Sequence, residues 1–177
     1  TKGKWATTIG PLPATESTKM IVSSGKSTVI LTNVAVGEVW IASGQSNMEL
    51  PISRVEPKYS TEIATANNPV IRQFNVSLRY SFSSPADDVK TGAWKAVTPT
   101  QELAFSAVGY FFAKELNKKL NIPIGIIKCA VGGSPIEAWL SEDVLKKYPD
   151  QLAKTHLYKD RSLVNSIKKA DEEKIKR

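Results

Sequence analysis

Val39-Trp40-Ile41-Ala42, followed by Ser43-Gly44-Gln45-Ser46-Asn47-Met48, is the stretch that decides the fold. An unbroken apolar run of this length is the pattern of a short strand covered on both faces, as in a parallel sheet. The run ends near a glycine. A hydroxyl follows between two amide side chains, shortly before Pro51. A hydroxyl at the carboxyl end of a buried strand is exposed, and backbone N–H groups beside it can face a developing oxyanion. Hydrolases place a serine nucleophile at such a spot. A polar turn that happens to contain serine has the same spacing, and the G-x-S-x-G elbow is not present. Spacing by itself leaves both readings open.

Upstream, residues 1–36 read as β structure. Trp5–Ile9, Lys19–Val22 and Thr28–Leu31 are short runs separated by Gly10-Pro11, Pro13 and a Ser-Ser-Gly turn at 23–25. Such runs predict a meander or hairpin, with too few strands for an independent domain. Downstream, Tyr59 to about Ala66 has helical composition, and Val70–Val76 alternates as a strand. Residues 77–104 are rich in Ser, Pro, Asp and Gly and predict a long surface loop, a length uncommon without a function. Ser106 to Asn121 is the best helix. Val108, Phe111, Phe112, Leu116 and Leu120 recur at helical spacing, and Asn121 with Pro123 closes it. Ile124–Ala130 is a second buried strand. Strands alternating with helices after Gly37 predict an α/β fold with a parallel sheet and helices on both faces. Ligands on such sheets bind beyond the carboxyl ends of the strands. Ser46 and the Gly132-Gly133 pair both lie just past such ends.

Val36-Gly37-Glu38-Val39-Trp40-Ile41-Ala42-Ser43-Gly44-Gln45-Ser46-Asn47-Met48-Glu49 closely resembles the nucleophile block of the sialate O-acetylesterases. These belong to the SGNH (GDSL-like) hydrolase superfamily, in the carbohydrate-esterase branch that also holds acetylxylan esterases. Ile126-Ile127-Lys128-Cys129-Ala130-Val131-Gly132-Gly133-Ser134-Pro135-Ile136-Glu137-Ala138-Trp139 resembles a second block of that family. Phe105-Ser106-Ala107-Val108-Gly109-Tyr110-Phe111-Phe112-Ala113 is a softer match. The likeness covers roughly residues 25 to 145. It implies a three-layer, flavodoxin-like SGNH hydrolase fold, incomplete in this chain. Residues 1–36 would be the last strands of an N-terminal β-sandwich domain. Residues 37–148 would be the first half of the hydrolase domain, and residues 149–177 a charged helical tail or insertion.

The resemblance assigns the nucleophile to Ser46. An ester hydrolase also needs a base and donors for the tetrahedral oxyanion. The Ser46 backbone N–H is one candidate donor. The family's oxyanion glycine lands on Gly132, with Gly133 next, because glycine lets a backbone N–H approach substrate without a Cβ in the way. A tight turn into a helix near Ile136 explains the same glycines and is compatible with that role. Gln45 and Asn47 flank Ser46 and are candidates for orienting its loop or binding substrate. Glu137 is a third candidate for substrate binding. Glu49 and Trp139 could shape the pocket, with packing or a surface position as the alternative. Arg72 resembles a position near the pocket in relatives.

The base is missing from the pattern. The family takes it from a D-x-x-H near its C-terminus and draws an oxyanion-hole Gln from a W-Y-Q-G-E block. This chain has neither, and its one histidine, His156, follows Ala153 at that distance and sits in the charged tail. Three readings follow. The first is the N-terminal piece of a longer esterase, whose Asp-His pair comes from a missing C-terminal part or a companion polypeptide. The second is a catalytically inactive carbohydrate-binding or structural remnant. The third is an intact small esterase using His156. The first is the expectation carried forward: removal of O-acetyl groups from a sugar, sialic acid or an acetylated xylan-type glycan, through an acetyl-enzyme on Ser46. An open edge at Ile124–Ala130 would then need a partner.

Composition narrows the alternatives. The chain has 177 residues, 41% apolar and 23% charged, enough for one domain with a sizeable core. Net charge is +7, but the basic residues after Lys146 interleave with Asp and Glu, as on a solvated helix. No arginine-rich patch alternates with aromatics, so nucleic acid is not an expected partner. No apolar run is long enough to span a bilayer, and no signal-peptide pattern is visible. The chain begins at Thr1 rather than Met, as expected if an upstream segment has been removed. The single cysteine, Cys129, lies in an apolar strand pattern as a small buried hydrophobe, with Lys128 directed to the opposite face. No Cys/His cluster suggests a metal, and the family resemblance implies no cofactor. By family analogy the location is secreted or periplasmic.

Overall fold

The computed structural model of the chain describes residues 5–79, 84–86, 88–89, 91–99 and 102–175. It divides into two compact units, residues 1–76 with 92–132, and residues 77–91 with 133–177. The first unit opens with an antiparallel hairpin, β1 (Thr15–Ser24) and β2 (Ser27–Val36). Gly25 turns the hairpin at a φ of 58°. The strand expected at Trp5–Ile9 does not form: residues 5–14 carry no regular secondary structure. The proline and glycine breakers there outweigh the short β-branched run.

β3 (Glu38–Gly44), β4 (Asn68–Asn75), β5 (Trp94–Val97) and β6 (Ile124–Ala130) form a four-stranded sheet in the order β3-β6-β4-β5. β6 is parallel to both β3 and β4, while β5 runs antiparallel to β4. β5 lies inside the stretch expected to be a loop. Four residues among Ser, Gly and Pro give too little alternation to show as a strand. Its place is fixed by tertiary contacts, Val97 fully buried and Trp94 against Phe74 at 5.7 Å between ring centroids.

Two expectations about the strands are corrected. β6 is interior rather than an edge, and the open edge belongs to β3, where nothing among the described residues pairs with its outer side. β3 is also not covered on both faces. Ala42 is buried, but Val39 and Ile41 are 57% and 72% exposed. The apolar run is real, yet an edge position leaves much of it in solvent.

Helix α3 (Ala107–Leu120) follows the expected boundaries. Ser106 caps it by accepting from the Gly109 N–H, and Asn121 closes it in the left-handed conformation at φ 54°. Its inward face differs from the predicted stripe. Ala107, Gly109, Tyr110 and Ala113 are buried, Phe111 and Leu116 partly so, and Val108, Phe112 and Leu120 are exposed. Small residues let the helix lie close on the sheet: a Cβ at residue 109 would stand 3.3 Å from Ile126 Cγ2. Phe112 meets Trp40 edge-on at 5.2 Å at the margin of that contact. α2 (Glu56–Thr65) packs beside α3 through Ile63 and the Tyr59–Phe111 ring pair.

Arg72, on β4, joins the hairpin to the sheet. Its guanidinium donates to Asn33 O (2.6 Å), Asn33 Oδ1 (2.8 Å), Glu16 O (3.2 Å) and Pro69 O (3.1 Å). Asn33 reaches it because β2 bulges there: between the pairs Met20↔Leu31 and Thr18↔Val34 it holds one residue more than β1, and Asn33 sits at φ 56°. Arg72 is therefore committed to the hairpin. It lines a cavity of about 480 Å³ with Asn33, Val39, Trp94 and Gly125, not the cleft at Ser46.

The second unit holds the Ile136–Trp139 single-turn helix, where a longer helix was expected to start, with Trp139 Nε1 donating to Ser134 Oγ at 2.9 Å. α4 (Glu142–Leu145), α5 (Pro149–Leu157) and α6 (Arg161–Ile175) complete the unit. Lys159 pairs with Glu142, and Asp160 caps α6 through the Ser162 and Leu163 N–H groups. The tail is helical, as its composition predicts. No helix among the described residues is long and apolar enough to cross a membrane.

Two stability tests follow from these contacts. Ser106→Ala removes the α3 cap and should cost about 1 kcal/mol in urea unfolding. Glu62 accepts hydrogen bonds from Lys114 (2.6 Å) and Tyr110, which hold its carboxyl below the usual carboxylate range. Its contribution is full above the unfolded glutamate value, about 4.3, and is lost as pH falls through the lowered folded value. The stability gap between the wild type and Glu62→Gln should therefore close on acidification through that window. Urea midpoints at neutral and acid pH measure it.

Candidate active site

The parallel pairing of β3 with β6 brings the two expected loops together. Glu38 stands opposite Ile124, and the register runs without a slip to Gly44 opposite Ala130. Val131 N donates to Gly44 O at 3.0 Å and extends the ladder past the strand ends. Counting on equally from Gly44 and Ala130 reaches Ser46 and Gly132. A Cβ built on Gly132 would lie 3.6 Å from Ser46 Cβ and 3.7 Å from Ser46 Cα.

Ser46 opens α1 (Ser46–Glu49), with Gln45 as its extended N-cap. Gly44 makes the corner at φ 142°, a region that disfavours any residue with a Cβ. Glu49 N and Leu50 N donate to Gln45 O and Ser46 O at 2.9 Å each, so the serine is held in a closed turn. The turn is anchored just downstream. Ile52 N donates to Phe105 O at 2.9 Å, Ala107 N donates to Leu50 O at 2.8 Å, and Pro51 forms a bridge with Ser106. Ser106 N donates to Gln73 Oε1 at 3.0 Å, and Ser106 Oγ meets Met48 Sδ at 3.7 Å. Ser106 and Gln73 are both buried, at 0% and 4% exposed. The third block of the sequence thus supports the Ser46 turn. Its wording resembles the family, but nothing in it reveals this task, because most of the partners are main-chain groups distant in sequence.

Ser46 is exposed and lines a cleft of about 710 Å³. Glu49, Pro51, Arg54, Leu103 and Lys128 contribute to its walls. Sequence reasoning had placed Glu49 near the pocket without a role. Its Oε2 accepts a hydrogen bond from the Gly132 N–H. Lys128 and Arg54 carry no sequence signal for the cleft, since a lone cation within a strand or at the end of a helical turn is commonplace.

The remaining candidates divide as follows. Gln45 and Asn47 flank Ser46 and are exposed. Gly133 (φ 74°), half-buried Glu137 and exposed His156, the last on α5, belong to the second unit. Cys129 is a free, half-buried thiol. No group of three or more His, Cys, Asp or Glu side chains among the described residues could hold a metal ion.

Residues 36–176 match the family model of carbohydrate esterases described as sialic acid-specific acetylesterase. The chain belongs to this family. It is 33% identical over 125 residues to the sialate O-acetylesterase of Rattus norvegicus, and 31% identical over 125 residues to that of Homo sapiens. Each alignment takes in 67% of this chain, so the chain spans about a quarter of those relatives, 23% and 24% of their lengths. The crystal structure of a carbohydrate acetylesterase from Xanthomonas citri superposes with a TM-score of 0.69 at 39% identity, over 76% of this chain and 31% of that one. The α/β fold with its mixed sheet is that of an SGNH-type esterase.

The crowding at Gly132 makes a test. A Cβ there would lie 2.7 Å from Glu49 Oε2, the mobile end of a flexible side chain. Gly132→Ala should fold, lose the Glu49 contact and cost on the order of 1 kcal/mol. Thermal melts and the structure of the variant check this.

Proposed function

We propose that this chain carries the nucleophile and part of the oxyanion hole of a carbohydrate O-acetylesterase. The observation that carries the reading is the juxtaposition of Ser46 with Gly132 at the carboxyl ends of two paired parallel strands. Family membership gives the reaction class, acetyl ester hydrolysis on a sugar.

In this reading Ser46 Oγ attacks the acetyl carbonyl carbon and gives its proton to a base. The carbonyl oxygen becomes an oxyanion that accepts from the Gly132 N–H and the Ser46 N–H. Such donors act because they are fixed before charge develops, and each is worth about a hundred- to a thousandfold in rate. Collapse breaks the bond to the sugar oxygen, which leaves as the protonated alcohol and deposits the acetyl group on Ser46. Water then hydrolyses the acetyl-enzyme. The base is a histidine oriented by an aspartate, as the family resemblance implies, from outside residues 1–177 in sequence or on a companion polypeptide. Gln45 and Asn47 are the proposed substrate contacts. The substrate is an O-acetylated sugar, sialic acid or a xylan-type glycan, met in a secreted or periplasmic setting. In the same reading, residues 1–36 are the end of a β domain, 37–148 the first half of the hydrolase domain and 149–177 an appended helical segment.

Ser46→Ala in the active enzyme should lower acetyl release at least about a thousandfold while leaving the circular dichroism spectrum and Tm unchanged. Normal turnover by that variant would refute the assignment. Sugar binding without turnover by the wild type, with the Asp-His pair present, would favour the inactive-remnant reading instead.

A further inference from the structure

The Gly132 amide faces a negative charge in this structure, and that charge belongs to the chain itself. Glu49 lies three positions after Ser46 on α1, so both side chains project from the same side of the turn. Glu49 Oε2 accepts from the Gly132 N–H. The same oxygen stands 2.7 Å from the point where a residue-132 Cβ would lie, and Ser46 Cβ stands 3.6 Å from that point. Carboxylate and nucleophile therefore share the space around one backbone donor.

We infer that Glu49 is a positioning residue that caps the oxyanion donor: its carboxylate occupies the Gly132 amide in the resting protein and must leave when an acyl group arrives. The inference rests on the proposed roles of Ser46 and Gly132. One N–H directed at one carboxylate oxygen cannot serve a second full negative charge without strong repulsion. The cleft gives the displaced carboxylate a destination, because Arg54 and Lys128 line it together with Glu49. The cap also defines a ligand class. A group that binds Gly132 in place of Glu49 is a small oxyanion or carboxylate, and acetate, the product of the proposed reaction, is the simplest of them. The carboxylate holds the amide in a receiving orientation while lowering the affinity of the site for product.

Glu49→Gln keeps the side-chain shape and removes the charge. Glu49→Asp keeps the charge and shortens the reach by one methylene. In the chain itself, the Gly132 amide resonance should sit downfield in the wild type and move upfield in both variants. Titration with sodium acetate should then shift it saturably in Glu49→Gln but not in the wild type. An unmoved Gly132 resonance in both variants would overturn the cap. In the active enzyme, Glu49→Gln should raise kcat/KM for an acetyl ester about threefold or more and lower the inhibition constant of acetate by a similar factor. A tenfold fall in kcat at constant KM, with acetate inhibition unchanged, would show Glu49 to be a plain structural tie and overturn the inference. Activity in Ser46→Ala would instead sink the nucleophile assignment, whatever the resonance does.

Discussion

The parallel register of β3 on β6 is the constraint on which the rest depends. Glu38 to Gly44 run against Ile124 to Ala130 without a bulge, and the Val131–Gly44 hydrogen bond carries the ladder beyond its last pair. Two loops more than eighty residues apart in sequence thereby leave the sheet at the same height. A one-residue slip would turn every side chain of β3 to the other face and separate Ser46 from Gly132. The register is held from one side only, because β3 is an edge strand. Ala42 in the core and Trp40 against Phe112 are its main side-chain anchors.

The sequence made these elements legible wherever local signals and tertiary demands agreed. α3 shows its cap, its body and its left-handed stop in the letters from Ser106 to Asn121, because each end is satisfied by residues of the helix itself or its immediate flanks. β6 appears at its observed limits because it is interior and so nearly continuously apolar. β5 was invisible for the opposite reason: Trp94–Val97 is a strand only because β4 offers it an edge. The exposure of Val39 and Ile41 was equally hidden. An apolar run states a preference for burial, and strand order decides whether that preference is met.

The site divides along the same line. The closeness of Ser46 and Gly132 was readable because both follow the ends of strands that pair in parallel. Glu49 was readable as a neighbour of the pocket but not as the partner of the Gly132 amide, and Arg54 and Lys128 were not readable, because their place comes from the cleft they share. Arg72 shows how a resemblance can mislead about a side chain. A guanidinium with five donors takes whatever carbonyls lie nearest, and here a bulged hairpin presents them. Family likeness therefore fixes the frame more firmly than it fixes the side chains around the cleft.

Ser106 ends one story and begins another. Its Oγ starts α3, while its backbone and that of its neighbours clamp the segment from Leu50 to Ile52 that follows Ser46. Fraying of the helix and loosening of the serine are then a single event, governed by local opening rather than by melting of the whole sheet. Local opening at the start of α3 would then free the Ser46 turn while the β3–β6 ladder stayed paired.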